Sequence, residues 1–123
     1  MKYIVTSALP YANGKLHVGH VAGAYLPADV FVRFLRLNNE DVIYICGTDE
    51  HGTPISISAD KEGVSPADVV QRYHDSIKEA FDGVGIEFDN FSGTSRPEHY
   101  KLSQELFLSL LSSGFIQPKS TLQ

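Results

Sequence analysis

Two short apolar runs rich in β-branched residues, Tyr3–Ser7 and Asp41–Cys46, bracket a segment of helical period, and few folds accept that order. Strand, helix, strand at this spacing implies a parallel pair joined by a right-handed crossover. Tyr3–Ser7 is stopped by Leu9-Pro10 and is expected to be a buried strand. From His17 to about Leu37 apolar residues recur on most sides, which predicts a largely buried helix. Asp29, Arg33 and Arg36 are spaced three or four apart and are expected to form its wet face. Pro27 removes a backbone donor and crowds the carbonyl of Gly23, so a kink or break is expected there. Asn38-Asn39 closes the segment.

Parallel sheets of this kind collect ligands at the carboxyl ends of their strands. The first strand runs into A-L-P-Y-A-N-G-K-L-H-V-G-H (Ala8 to His20), and the second into G-T-D-E-H-G-T-P (Gly47 to Pro54). The two most polar, glycine-punctuated loops are therefore predicted at one edge of one sheet. Downstream, Pro54–Glu62 reads as a short helix ended by Gly63. Ser65-Pro66 caps a second helix to about Phe81, with a core stripe of Val70, Tyr73, Ile77 and Phe81. His74 flanks that stripe as a boundary residue, and His99 near a helix start is expected to be solvated. Phe88–Ser92 is a strand or an extended loop. Ser95 with Glu98 resembles a capping box, and the last helix is expected to pack through Leu102, Leu106, Phe107 and Leu110 before Gly114 ends it. The fold class expected is α/β, with a parallel sheet flanked by helices, and Phe115–Gln123 is extended without a closing signal.

At 123 residues the chain suits one domain. A net charge of -5 argues against a general nucleic-acid-binding surface within these residues. The single cysteine, Cys46, excludes an internal disulfide and a cysteine-built zinc site, and suits a reducing cytoplasmic compartment. The opening M-K-Y-I-V-T-S lacks the longer apolar core and cleavage site expected of a secretory signal, and no apolar run approaches the about 20 residues of a membrane span.

His17 and His20 stand three apart, so both rings can meet one ligand beside a helix N-terminus, where anions bind. An imidazole N–H suits a phosphate whose charge grows during reaction. Gly19 lets a flat base or ribose approach the backbone. The competing reading is a histidine pair that only caps or packs a helix end. Asp49, at the second strand's end, can hold an ammonium, a metal or a ribose, or can merely shape an Asx-turn. Side chains alternate along an extended chain, so Asp49 and Glu50 do not both face the cleft, and Asp49 is the one expected there. His51 suits cleft or turn, Lys15 could reach a phosphate, and Tyr11 is an aromatic beside the cleft. The chain has no G-x-x-x-x-G-K-[ST], G-x-G-x-x-G, C-x-x-C or H-E-x-x-H.

The segments A-L-P-Y-A-N-G-K-L-H-V-G-H, A-G-A-Y-L-P-A-D-V-F-V-R-F-L-R and C-G-T-D-E-H-G-T-P together resemble the class I aminoacyl-tRNA synthetases, and among them the methionyl family. His17-Val18-Gly19-His20 stands for the family's HIGH signature. The resemblance implies catalytic roles for His17 and His20, ATP contacts by Asn13, His17, Gly19 and His20, and methionine contacts by Leu9, Tyr11 and Asp49, the last holding the α-ammonium. It implies activation of methionine by ATP, with Mg2+, and transfer to tRNA(Met). The resemblance implies that residues 1–114 are the first half of the family's Rossmann-like nucleotide-binding catalytic domain and that 115–123 lead into its connective insertion. The family's zinc belongs to that insertion, and no metal site is expected in this chain. The K-M-S-K-S loop is absent from these residues, so the stretch alone is expected to be inactive and, with an open sheet edge, to self-associate. Two readings compete: a nucleotidyltransferase that also uses H-x-G-H, and a non-enzymatic binding module derived from a synthetase.

Overall fold

In the computed structural model, which describes residues 1–120, three parallel strands lie in the order β1 (Lys2–Thr6), β2 (Asp41–Thr48), β3 (Asn90–Gly93). Ile4 is opposite Ile43, and Cys46 opposite Phe91. The first crossover carries α1 (Val18–His20), a π-helical turn (Val21–Tyr25) and α2 (Leu26–Leu37). The second carries α3 (Thr53–Glu62) and α4 (Pro66–Gly83), and α5 (Pro97–Ser112) follows β3. The parallel pair and its crossover match the sequence reading, and the short run near Phe88 is the third strand. The end of the lead-out segment, 121–123, lies outside the described residues.

The disturbance expected at Pro27 takes a definite form. The helix widens to a π turn just before it, and the Leu26 N–H reaches back to the Val21 carbonyl. Such a turn relieves the clash between the proline ring and the preceding carbonyls without ending the helix. Gly63 closes α3 in the left-handed conformation (φ 67°). Ser65 and Asp68 form a reciprocal capping box at the start of α4.

Tyr25, Val32, Tyr44, Ile77, Phe81 and Ile86 form the main core, so both crossovers cover the same face of the sheet. Phe81 meets Tyr25, Phe88 and Phe91 edge-on, and truncating it to Ala costs roughly 3–5 kcal/mol. The opposite face is open: Ile4 is 72% exposed and Ile43 is 49% exposed. The expectation of a buried first strand is therefore corrected, because β1 is an edge strand covered on one side only.

Three further expectations are corrected. Asp29 is buried, held by Arg33 Nε at 2.6 Å, while Val30, Phe31 and Phe34 face outward, so α2 is neither largely buried nor wet on the face expected. The Arg33 guanidinium also donates to the Gly85 carbonyl, which draws Asp29 inward under it. Ser95 is not the cap of α5: Arg96 is, with Pro97 at the first helical position, and Ser95 is bonded to Glu50 instead. The stripe of Leu102, Leu106, Phe107 and Leu110 is exposed, because no described element packs over α5.

Candidate active site

The loop after β1 is fixed from both ends. Ala12 is fully buried in a second core with Ile55, Ala59, Val69 and Val70, so the helices after β2 grip the loop after β1. Pairing of β1 and β2 resumes beyond Leu9: Tyr11 bridges Asp49, the Asp49 N–H donates to Pro10 O and the Ala12 N–H to Asp49 O, each at 2.8 Å. The two polar loops are thus zipped together at the strand ends. Gly52 (φ 134°) faces Tyr11, whose hydroxyl lies where a Cβ would sit, so only glycine suits that place.

Beside this seam opens a cleft of about 360 Å³ lined by Leu9, Tyr11, Asn13, Lys15, His20 and Tyr25, among others. Four of the predicted site residues therefore share one cavity. Lys15 lines it as well, although its position in a loop gave no means of separating it from a solvated lysine. Asp49 lies next to Tyr11 through the bridge, half-buried. His17 and Gly19 stand exposed at the start of α1. The rings of His17 and His20 stack, and each Nδ1 accepts the other residue's N–H at 3.3 and 3.4 Å, a reciprocal cap. The capping reading of the pair is therefore realised, and it leaves both Nε2 atoms free for a ligand.

Alternation at the end of β2 holds: Asp49 lies on one side, and Thr48 and Glu50 are buried on the other. Glu50 is the residue that sequence reasoning passed over. Thr48 Oγ1 donates to its carboxylate at 2.6 Å, Ser95 N–H donates at 2.8 Å, and the Ser95 hydroxyl also donates. Burial pushes the Glu50 carboxyl up, but these bonds and Arg96 outweigh it and hold it below the ordinary carboxylate value. His74 is buried, not a boundary residue: its Nδ1 lies 2.7 Å from Thr48 Oγ1. Burial and the nearby Arg96 hold the His74 imidazole below its usual range. The i, i+4 step from Val70 to His74 was the available signal, since it continues a core stripe. The His51 ring lies tilted beside Tyr100, and its Nε2 sits at 3.2 Å from the Thr94 carbonyl, in the turn rather than the cleft.

Among the described residues, no three His, Cys, Asp or Glu side chains converge as a metal site. No helix of the described residues is long and apolar enough to cross a membrane.

Known proteins resemble this chain along its whole length. A family model described as "tRNA synthetases class I (M)" matches residues 3–123. The chain is 58% identical to a methionine--tRNA ligase of Pyrococcus furiosus over 123 residues, all of this chain and 17% of that protein. It is 54% identical to the methionine--tRNA ligase of Rubrobacter xylanophilus over 99% of the chain and 21% of that protein. Among solved structures, the Mycobacterium tuberculosis methionyl-tRNA synthetase bound by methionyl-adenylate superposes with a TM-score of 0.87 at 35% identity, over 93% of this chain and 22% of that one. The chain thus spans about a fifth of the length of these relatives.

Proposed function

The chain belongs to the class I tRNA synthetases of the methionine type, and on that premise we propose that it supplies the histidine-bearing half of a methionine--tRNA ligase active site. In this reading, the protein that carries it joins the methionine carboxylate to the α-phosphorus of ATP with release of pyrophosphate. It then passes the methionyl group to tRNA(Met). His17 and His20 donate to the phosphate as its charge grows, with Asn13 and Gly19 along the nucleotide. Leu9 and Tyr11 line the methionine side chain, and Asp49 holds the α-ammonium. The chemistry needs alignment and charge stabilisation rather than a covalent enzyme intermediate. The Mg2+ expected with ATP is assigned no ligand from this chain. In the same reading, residues 1–114 are the N-terminal half of the catalytic domain and 115–123 the lead-in to the connective insertion.

The observation that carries the reading is the meeting of Leu9, Tyr11, Asn13 and His20 around one cleft at the strand ends, beside Asp49. Methionine-dependent ATP–pyrophosphate exchange by the full-length protein tests it, with Asp49→Ala as the blank. Exchange driven by a pantetheine-type substrate instead would favour the nucleotidyltransferase reading, and none at all would favour a binding module. A polypeptide of these 123 residues alone carries no K-M-S-K-S segment and is expected to support no exchange.

A further inference from the structure

Among the described residues no side chain bonds to the Asp49 carboxylate, so its direction is set by its backbone, paired with Pro10 and Ala12 on one side and held by its two chain neighbours on the other. Both neighbours are clamped on the opposite side. Thr48 gives its one hydroxyl proton to Glu50, so it accepts from His74 Nδ1–H, which fixes the tautomer of that ring. The Glu50 N–H donates to Thr94 Oγ1 at 2.9 Å, and its carboxylate takes Ser95 N–H and Ser95 Oγ–H. Arg96 lies 3.8 Å from the same carboxylate. Every close partner of Glu50 is a donor, which suits an ionised carboxylate and nothing else of its shape. The seat exists because Gly93 has no side chain: a Cβ there would run into the carboxylate. Apolar side chains of like volume would fill such a space with less desolvation. A carboxylate adds a directional hold between the end of β2 and the turn into α5.

We infer that Glu50, seated against Gly93 and backed by Thr48 and His74, is a positioning residue that turns Asp49 toward the cleft and so sets affinity for the ammonium-bearing substrate without touching it. The inference rests on the reading of Asp49 as the ammonium holder.

The test uses the full-length protein with Glu50→Gln, which places an amide donor where only donors converge. In methionine-dependent exchange, KM for methionine rises about tenfold, while KM for ATP and kcat stay within about twofold. The inhibition constant of the des-amino analogue of methionine, which has no ammonium for Asp49, stays within about twofold. Gly93→Ala crowds the same seat from β3 and gives the same selective loss; it serves where Glu50→Gln does not fold. Equal losses for methionine and the des-amino analogue would reveal a general loosening and overturn the inference, as would an unchanged KM. If the unaltered protein shows no methionine-dependent exchange, the reading of the site fails. The carboxyl carbon resonance of Asp49, compared between the unaltered protein and Glu50→Gln, then decides positioning: a shift supports it and coincidence overturns it.

Discussion

The imidazole of His17 lies on that of His20, ring centroids 3.6 Å apart, and each Nδ1 receives the other residue's backbone N–H. A backbone amide only donates, so both Nδ1 atoms carry lone pairs and both rings hold their proton on Nε2. Nitrogen NMR of the neutral rings is expected to show Nε2–H and a bare Nδ1 at both positions. An Nδ1–H at either would remove the reciprocal cap from the account.

Replacing either histidine by Ala deletes half of that cap and one outward donor. Stability falls by about 1 kcal/mol, and the exchange rate of the full-length protein falls by about 10²–10³. Denaturation and steady-state kinetics read the two effects separately. An undiminished rate would assign the phosphate to other groups.

Asp49→Asn separates function from stability. Its carboxylate has no described side-chain partner, so unfolding free energy shifts by no more than about 0.5 kcal/mol. Methionine-dependent exchange is lost, because a neutral amide gives the ammonium no counter-charge. A stable variant with full exchange would place the ammonium elsewhere.

Acid weakens the fold in two steps with the same sign. His74 and Glu50 are both held below their ordinary values of 6.5 and 4.5 in the folded chain. Each therefore contributes stability that is present above its unfolded pKa and is lost as the pH falls through its folded one. Melting temperature is expected to be level above about pH 6.5, to decline below it, and to decline further below about pH 4.5. Glu50→Gln flattens the lower step. A melting temperature that rises between neutral pH and pH 5 would contradict this account.

The 123 residues expressed alone are expected to self-associate through the open sheet face and the apolar side of α5. Ile4 and Ile43 are register partners on that face, and Leu106 and Phe107 are exposed on α5. Light scattering is expected to show oligomers, reduced by Ile43→Lys combined with Leu106→Lys. A monodisperse monomer at high concentration would count against this.

The sequence carried the site further than it carried the surface. The strand–helix–strand order and the meeting of two loops followed from β-branched runs and helical period, because both are local. The stacking of His17 on His20 followed from spacing only in part: a step of three gives a shared face, not a ring contact. Exposure misled on α2 and α5, since an apolar side chain announces that it needs a partner, not that a partner lies within the same residues. Asp29 was misjudged, and the role of Glu50 passed over, for the complementary reason. The distant groups that settle them, the Gly85 carbonyl over Arg33 and Ser95 on Glu50, arrive only once the strands are ordered.

The π turn at Val21–Tyr25 has a consequence for how this protein can vary. An α-helix advances about 100° per residue, so one residue absorbed in a wide turn offsets everything beyond it by that angle. The histidine pair stands before the offset, and Val32 and Leu35, buried toward the core, stand after it. Removing one residue between Val21 and Tyr25 would let the wide turn close to an ordinary α turn with the two ends of the helix still in phase. The helix can thus gain or lose one residue here while the histidines keep their angular setting against the sheet.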